Sequence, residues 1–288
     1  MKTQSVDTRP EAERVLIGLL RKAPIWRRLL LTRNLNRTVR TLNIQGWHWC
    51  HTNDPVEHLH HYLANIWLGE PLATQISAAR DAAHIPQEGD LMSTDPIALT
   101  ILVIEQLEAL GVPYVLGGAL ATNAYGIPRS TLDADIVAEM TVAHATPLAQ
   151  ALESAFYVDV ESIRDAILHC SSFNVIHLQE LFKIDIFIPK PGLFAKSQFL
   201  RRTEQVLAVN PERRVFVASP EDSVLAKLDW YRQGGSVSDR QWNDILGVLK
   251  VQAPTIDQLY LRQWAAKLGV IDLLDRAFVD AGLTGDSH

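Results

Sequence analysis

The sequence predicts an α+β fold: a mixed-sheet core at residues 91–218, preceded by a basic helical module with its linker (1–90) and followed by a helical region (219–288). Three observations predict it. Up to Ile66 the apolar residues recur at helical spacing, with Val15, Leu16, Leu19 and Leu20 as the first stripe. Between residues 114 and 218, short apolar or alternating runs separated by glycine, proline and polar pairs read as strands. From Ser219 onward helical periodicity returns, with cap residues ahead of each segment.

Glu11 to Lys22 is the first helix, and Pro24 ends it. A second runs from Trp26 to about Trp47 on Leu29, Leu30, Leu35, Val39 and Leu42. Asp54 and Pro55 read as N-cap and first position of a third helix reaching Ile66. Residues 77–94, polar and holding Pro86 and Gly89, read as the linker. Asp95 and Pro96 open the next helix, and Gly111 closes it. A strand (Tyr114, Val115, Leu116), a helix from Ala119 to Tyr125, a strand from Asp133 to Glu139 and a helix from Pro147 to Ala155 follow. The runs 172–178 and 181–188 alternate on either side of Gln179 and Glu180, the pattern of an antiparallel hairpin. Two further apolar runs, 206–209 and 215–218, close the core. Ser219-Pro220-Glu221-Asp222 caps a helix to Arg232, and Gly234-Gly235 stops it. Ser238 to Gln241 repeats the cap for a helix through Leu249, before two last helices over 255–268 and 271–281.

The chemistry concentrates in YVLGGALATNAYGIPRSTLDADIVAEM, residues 114–140. Gly117 and Gly118 end the strand where backbone amides can approach a bulky anion, and the helix behind them turns its free first-turn amides the same way, which suits phosphate. Asp133 and Asp135 flank Ala134 on an alternating strand, so both carboxylates leave one face, about 6–7 Å apart. Aspartates that close stay ionised when a divalent cation lies between them. Asp185 is the one carboxylate on a second strand, where Ile184, Ile186 and Ile188 face the core while Lys183, Asp185 and Phe187 face the other way.

Strand, Gly-Gly, helix, then Asp-x-Asp on the next strand resembles the nucleotidyltransferase superfamily with a DNA polymerase β-like core. The 14 residues between Gly118 and Asp133 are somewhat more than that family shows, lengthening the loop around Gly126, Pro128 and Arg129. The segment SPEDSVLAKLDWYRQGGSVSDRQWNDILGVLK is similar to the Lys-Leu…Arg-Gln-x-x-Asp element of abortive-infection and toxin-type nucleotidyltransferase-like proteins. From the residues alone, Lys227 is also a snorkelling side chain, and Arg240 with Asp244 an i, i+4 surface pair. The resemblance implies a nucleotidyltransferase-type mixed sheet with a C-terminal helical hairpin. It also implies transfer of a nucleoside monophosphate from an NTP to an acceptor hydroxyl. Asp133, Asp135 and Asp185 would be the catalytic carboxylates and the ligands of Mg²⁺ or Mn²⁺, with Asp185 also able to act as base. Gly117, Gly118, Lys227 and Asp244 would lie at the nucleotide, and Asn123, Tyr125, Arg129 and Ser130 are further candidates for contacts with it. A protein that binds nucleotide or an antitoxin-like partner without turnover, and an enzyme of the antibiotic-modifying kind, are the other readings.

Composition bounds the rest. With 47% hydrophobic and 21% charged residues the chain can bury a substantial core. Residues 1–50 hold ten Lys and Arg against three acids, whereas the remainder holds 17 against 30. A basic head on an acidic body suggests a local polyanion contact. Arg21, Lys22, Arg27, Arg28, Arg33, Arg37 and Arg40, with Trp26, Trp47 and Trp49, fit an RNA acceptor with a tRNA-like 3′ end, and equally a solvated helix face that packs against the acidic body of the same chain. Two cysteines, Cys50 and Cys170, are too few for a disulfide framework, and no apolar run is long enough to span a bilayer. A cytoplasmic protein is expected. His48, Cys50, His51, His58, His60 and His61 cluster without the spacing of a zinc site.

Overall fold

Pro10 and Pro24 bracket the first helix for opposite reasons: proline is tolerated in a first helical turn, where its missing N–H has no partner to lose, and breaks a helix anywhere later. In the computed structural model, which describes residues 2–4, 7–52, 54–83 and 95–283, that helix is α1 (Pro10–Lys22). Next comes α2 (Ile25–Cys50), three residues longer than expected at its end. The third helix, α3 (Val56–Leu68), starts after Pro55, and no side chain caps it, so Asp54 is not its N-cap. Gly69, at φ +84°, turns the chain directly into α4 (Glu70–Ala82), which starts with Pro71 in its first turn. The first part of the expected linker is therefore helical, because Ala73, Ile76 and Arg80 give it a buried face. Residues 84–94 of that linker lie outside the described residues.

Asp95 caps α5 (Pro96–Ala109) as expected, accepting from the Ile97 amide at 3.0 Å. Then follow β1 (Tyr114–Leu116), α6 (Gly118–Tyr125), β2 (Asp133–Ala138), α7 (Ala145–Leu152), β3 (Phe156–Tyr157) and α8 (Val160–His169). The hairpin strands are β4 (Ser172–His177) and β5 (Lys183–Phe187). Leu178, Leu181 and Phe182 lie in the connection between them, buried, with the His177 amide donating to the Phe182 carbonyl and the Leu181 amide to that of His177, both at 2.9 Å. The chain ends with α9 (Leu193–Arg201), β6 (Thr203–Val209), β7 (Glu212–Val217), α10 (Pro220–Gln233), α11 (Asp239–Gln252), α12 (Gln258–Lys267) and α13 (Ile271–Ala281). Ser219 and Ser238 cap α10 and α11, as the sequence predicts. The short β3 and the helices α8 and α9 were not predicted.

The segments 33–114 and 130–190 form one compact unit. Its strands run in the order β3-β4-β5-β2, antiparallel until β5, which is parallel to β2. Trp47, Leu59, Leu63, Ile76, Ile176 and Leu181 share its core. Two buried arginines tie helices to the β4–β5 connection. Arg40 donates to the Glu180 carbonyl and lies 4.4 Å over the Trp67 ring, while Arg80 donates to the Leu178 carbonyl at 2.8 Å.

His177, the last residue of β4, accepts at Nδ1 from the Glu180 amide and meets Phe156 edge-on. Burial, reinforced by the Arg40 charge, pushes its imidazole down to about 4. A histidine whose folded pKa lies below its unfolded value stays neutral in the fold while the unfolded chain takes up the proton, so acid favours unfolding. Stability should therefore decline as pH falls from about 6.5 toward about 4. His177→Gln should flatten that part of a denaturation-versus-pH series.

The other unit comprises residues 1–32, 115–129 and 191–288. Its strands run β1-β7-β6, with β1 parallel to β7 and β6 antiparallel to it. Helix α6 packs against α10 and α11, and α1 packs against α11 through Ile17, Leu20 and Val251. Basic residues bind the head to this unit. Arg21 donates to the Lys250 and Val251 carbonyls, and Arg28 to those of Leu20 and Ala124. Buried Lys250 pairs with Glu13 at 3.1 Å.

Candidate active site

The glycine turn forms as its sequence requires. Gly117 is the N-cap of α6, and Gly118 adopts φ +54°, a left-handed conformation that residues with a Cβ rarely take. The first helical bond runs from the Ala121 amide to the Gly117 carbonyl at 3.0 Å, so the amides of Gly118, Ala119 and Leu120 precede it as potential anion donors.

Past α6 the loop is braced from inside. The fully buried Asn123 donates to the Arg129 carbonyl at 2.9 Å and accepts from its amide at 3.2 Å. Tyr125 shares a hydrogen bond with Thr203 at 3.0 Å. Both residues were candidates for nucleotide contacts, and both make internal bonds instead. The Arg129 fork grips Asp244 through Nε at 2.6 Å and Nη2 at 2.7 Å, and Lys227 reaches the same carboxylate at 2.9 Å. Asp244 is thus a buried clamp between two cations, and the pairing expected for it with Arg240 is replaced by one spanning 115 positions. Burial alone would raise its pKa, but the Arg129 hydrogen bonds and the Lys227 charge outweigh it and hold the carboxyl below its ordinary value.

In the other unit the acidic strand is equally clear. Ala134, Ile136 and Ala138 of β2 are buried, leaving Asp133 and Asp135 half-buried on the opposite face. The register with β5 sets Asp135 opposite Asp185 and Asp133 opposite Lys183, and β4 sets Asn174 opposite Asp185. Adjacent strands keep paired side chains on one face, so the three aspartates share it. Each has company. Thr131 donates to Asp133 at 2.6 Å, its own amide held by Asn36 at 2.7 Å, and the Lys183 ammonium lies 2.6 Å from Asp185. Burial pushes the Asp185 carboxyl up; Lys183 opposes that, and the Asp133 charge adds to it. Ser130 is half-buried ahead of this strand. Hard carboxylate oxygens on one face suit Mg²⁺ or Mn²⁺ by chemistry. Among the described residues, however, no group of three or more His, Cys, Asp or Glu is arranged to hold a metal ion, so three-carboxylate coordination is not preformed.

No protein-family model and no curated protein matches the chain. Among solved structures it is similar to an antigenic nucleotidyltransferase-like protein from Paracoccidioides brasiliensis. The identity is 18%, the match covers 63% of this chain and 91% of that one, and the TM-score is 0.38. A likeness of that degree fixes neither family nor activity.

The remaining predicted features separate. Arg28 and Arg40 are buried and internally bonded, Arg21 is bonded to carbonyls, Arg33 pairs with Asp95 at 3.2 Å, and Trp47 is a core residue. Lys22, Arg27 and Arg37 are exposed. No helix among the described residues is long and apolar enough to cross a membrane. Thr131, Asn36, Asn174 and Lys183 were missed as site residues. Only Lys183 carried a signal, as a cation two positions from a lone acid on an apolar strand.

Proposed function

We propose that the chain is a nucleotidyltransferase that moves a nucleoside monophosphate from an NTP to an acceptor hydroxyl. One observation carries this reading: the β2–β5 register sets Asp135 opposite Asp185, with Asp133 on the same face, in a chain where a glycine turn and helix precede that strand. In the reaction, the acceptor O–H gives its proton to Asp185, whose raised pKa suits it to that task. The freed oxygen pair forms the bond to the α-phosphorus, and the α–β bridging P–O bond breaks, its electron pair leaving on pyrophosphate. The α6 amides, Lys227 and Arg129 are assigned to the triphosphate; Asp244 between the two cations leaves them a net positive charge. Asp133 and Asp135 are the proposed holders of Mg²⁺ or Mn²⁺, which when bound would neutralise phosphate charge.

Lys227→Ala should weaken NTP binding about tenfold to a hundredfold, the worth of one charge-assisted hydrogen bond. Calorimetric titration with circular dichroism as fold control checks this, and wild-type affinity in a folded variant would remove Lys227 from the nucleotide site. An RNA acceptor, proposed from the basic head, would meet the exposed Lys22, Arg27 and Arg37. RNA affinity should then fall with a log–log salt slope of about −2 to −3, for three phosphate contacts, and a flat salt response would exclude this acceptor. A toxin-type role with an antitoxin-like partner belongs to the same proposal.

A further inference from the structure

Between α3 and α4 lies a cavity of about 220 Å³ lined by His60, His61, Ser77, Arg80, Asp81 and Leu181 among others. Arg80 is 6% exposed, and only part of its fork is used. Nη1 donates to the Leu178 carbonyl at 2.8 Å, while Nη2 is buried with no hydrogen-bond partner. A guanidinium does not lose its proton to escape burial, so an unmet donor on it is a standing cost unless something accepts from it. Asp81, the next residue, stands exposed at the rim, its charge acting on Arg80, yet it does not satisfy Nη2.

The lining selects among ligands. Arg80 excludes a cation, and an apolar guest would leave Nη2 as it is. An oxyanion supplies the missing acceptor, and the planar fork matches two of its oxygens. Around it, His61 Nδ1 lies 3.5 Å from the Ser77 hydroxyl, which donates to the Ala73 carbonyl at 3.0 Å, and His60 forms part of the same wall. The volume admits a phosphate group with room for atoms attached to it.

We propose that this cavity is a binding site for a phosphate-type oxyanion, either free phosphate or the phosphate of a small monoester, with Arg80 as the principal ligand and His60, His61 and Ser77 around it. It gives a role to two histidines of the 48–61 cluster that match no zinc spacing. It shares no residue with the proposed transferase site and does not rest on that reading.

The test uses the full chain with ¹⁵N-labelled histidine, following the imidazole signals of His60 and His61 during titration with inorganic phosphate or methyl phosphate, against sodium chloride at equal ionic strength. Saturable shifts with a Kd of about 1 mM or tighter, absent in chloride, are expected. A tighter response to methyl phosphate assigns the site to a monoester, and a tighter response to phosphate assigns it to the free ion. Arg80→Lys, which keeps the charge but loses the fork, should weaken binding about tenfold or more. Should that variant not fold, His61→Ala on the exposed rim should weaken binding in its place. Lys227→Ala should leave the shifts unchanged. No saturable shift in wild type, equal shifts in chloride, or full affinity in a folded Arg80→Lys protein would overturn the proposal.

Discussion

Asp244→Ala is expected to destabilise the protein by about 3–5 kcal/mol, the cost of removing one partner from a buried charge cluster. The carboxylate is 3% exposed and takes Arg129 at 2.6 Å and Lys227 at 2.9 Å. Without it two cations face each other at a half-buried position. Asp244→Asn keeps the shape and loses the charge, and it exposes the pH dependence. Because the folded pKa of Asp244 is depressed, its contribution is present above the unfolded value of about 3.9 and is lost as pH falls through the lower folded value. The stability gap between wild type and Asp244→Asn should therefore be widest near neutral pH and close in acid. Urea denaturation at several pH values checks both statements. A loss below about 1 kcal/mol, as for an exposed pair, would show that the cluster is not a structural clamp.

Asp133→Asn combined with Asp135→Asn should abolish transfer, lowering turnover about a thousandfold or more, the scale of removing preorganised electrostatic groups from a reacting phosphate. The fold should survive, because both positions are half-buried on a face whose opposite side makes the core. Replacing the charges also relieves the repulsion that Asp133 exerts on Asp185. Thermal unfolding should then show a melting temperature equal to or above that of wild type. A double variant that keeps wild-type turnover would remove both aspartates from the chemistry.

What the sequence made legible was local. The Gly117-Gly118 turn, the alternation around Asp133 and Asp135, the β4–β5 hairpin and the Ser219 and Ser238 caps all rest on neighbours within a few positions. What it hid was non-local. The Asp244 clamp joins residues 115 apart, and the Asn36 bond to the Thr131 amide spans 95. The parallel register of β2 with β5 follows from no hairpin turn. For the same reason Asn123 and Tyr125 looked available for nucleotide until the fold showed Arg129 and Thr203 beside them. Helices α4 and α8 were obscured differently: the start of each depends on one cap or proline, Pro71 for α4 and Asp159 for α8.

The central claim is nucleotidyl transfer, and label position tests it most directly. Wild-type protein would be incubated with Mg²⁺ and each NTP labelled at the α- or the γ-phosphate, in the presence of separate RNA, protein and small-molecule pools. The account predicts that α-label becomes attached to one pool while γ-label appears only in pyrophosphate, and that the Asp133→Asn/Asp135→Asn variant does neither. Attachment of γ-label to an acceptor, or no transfer of α-label to any pool, would contradict it.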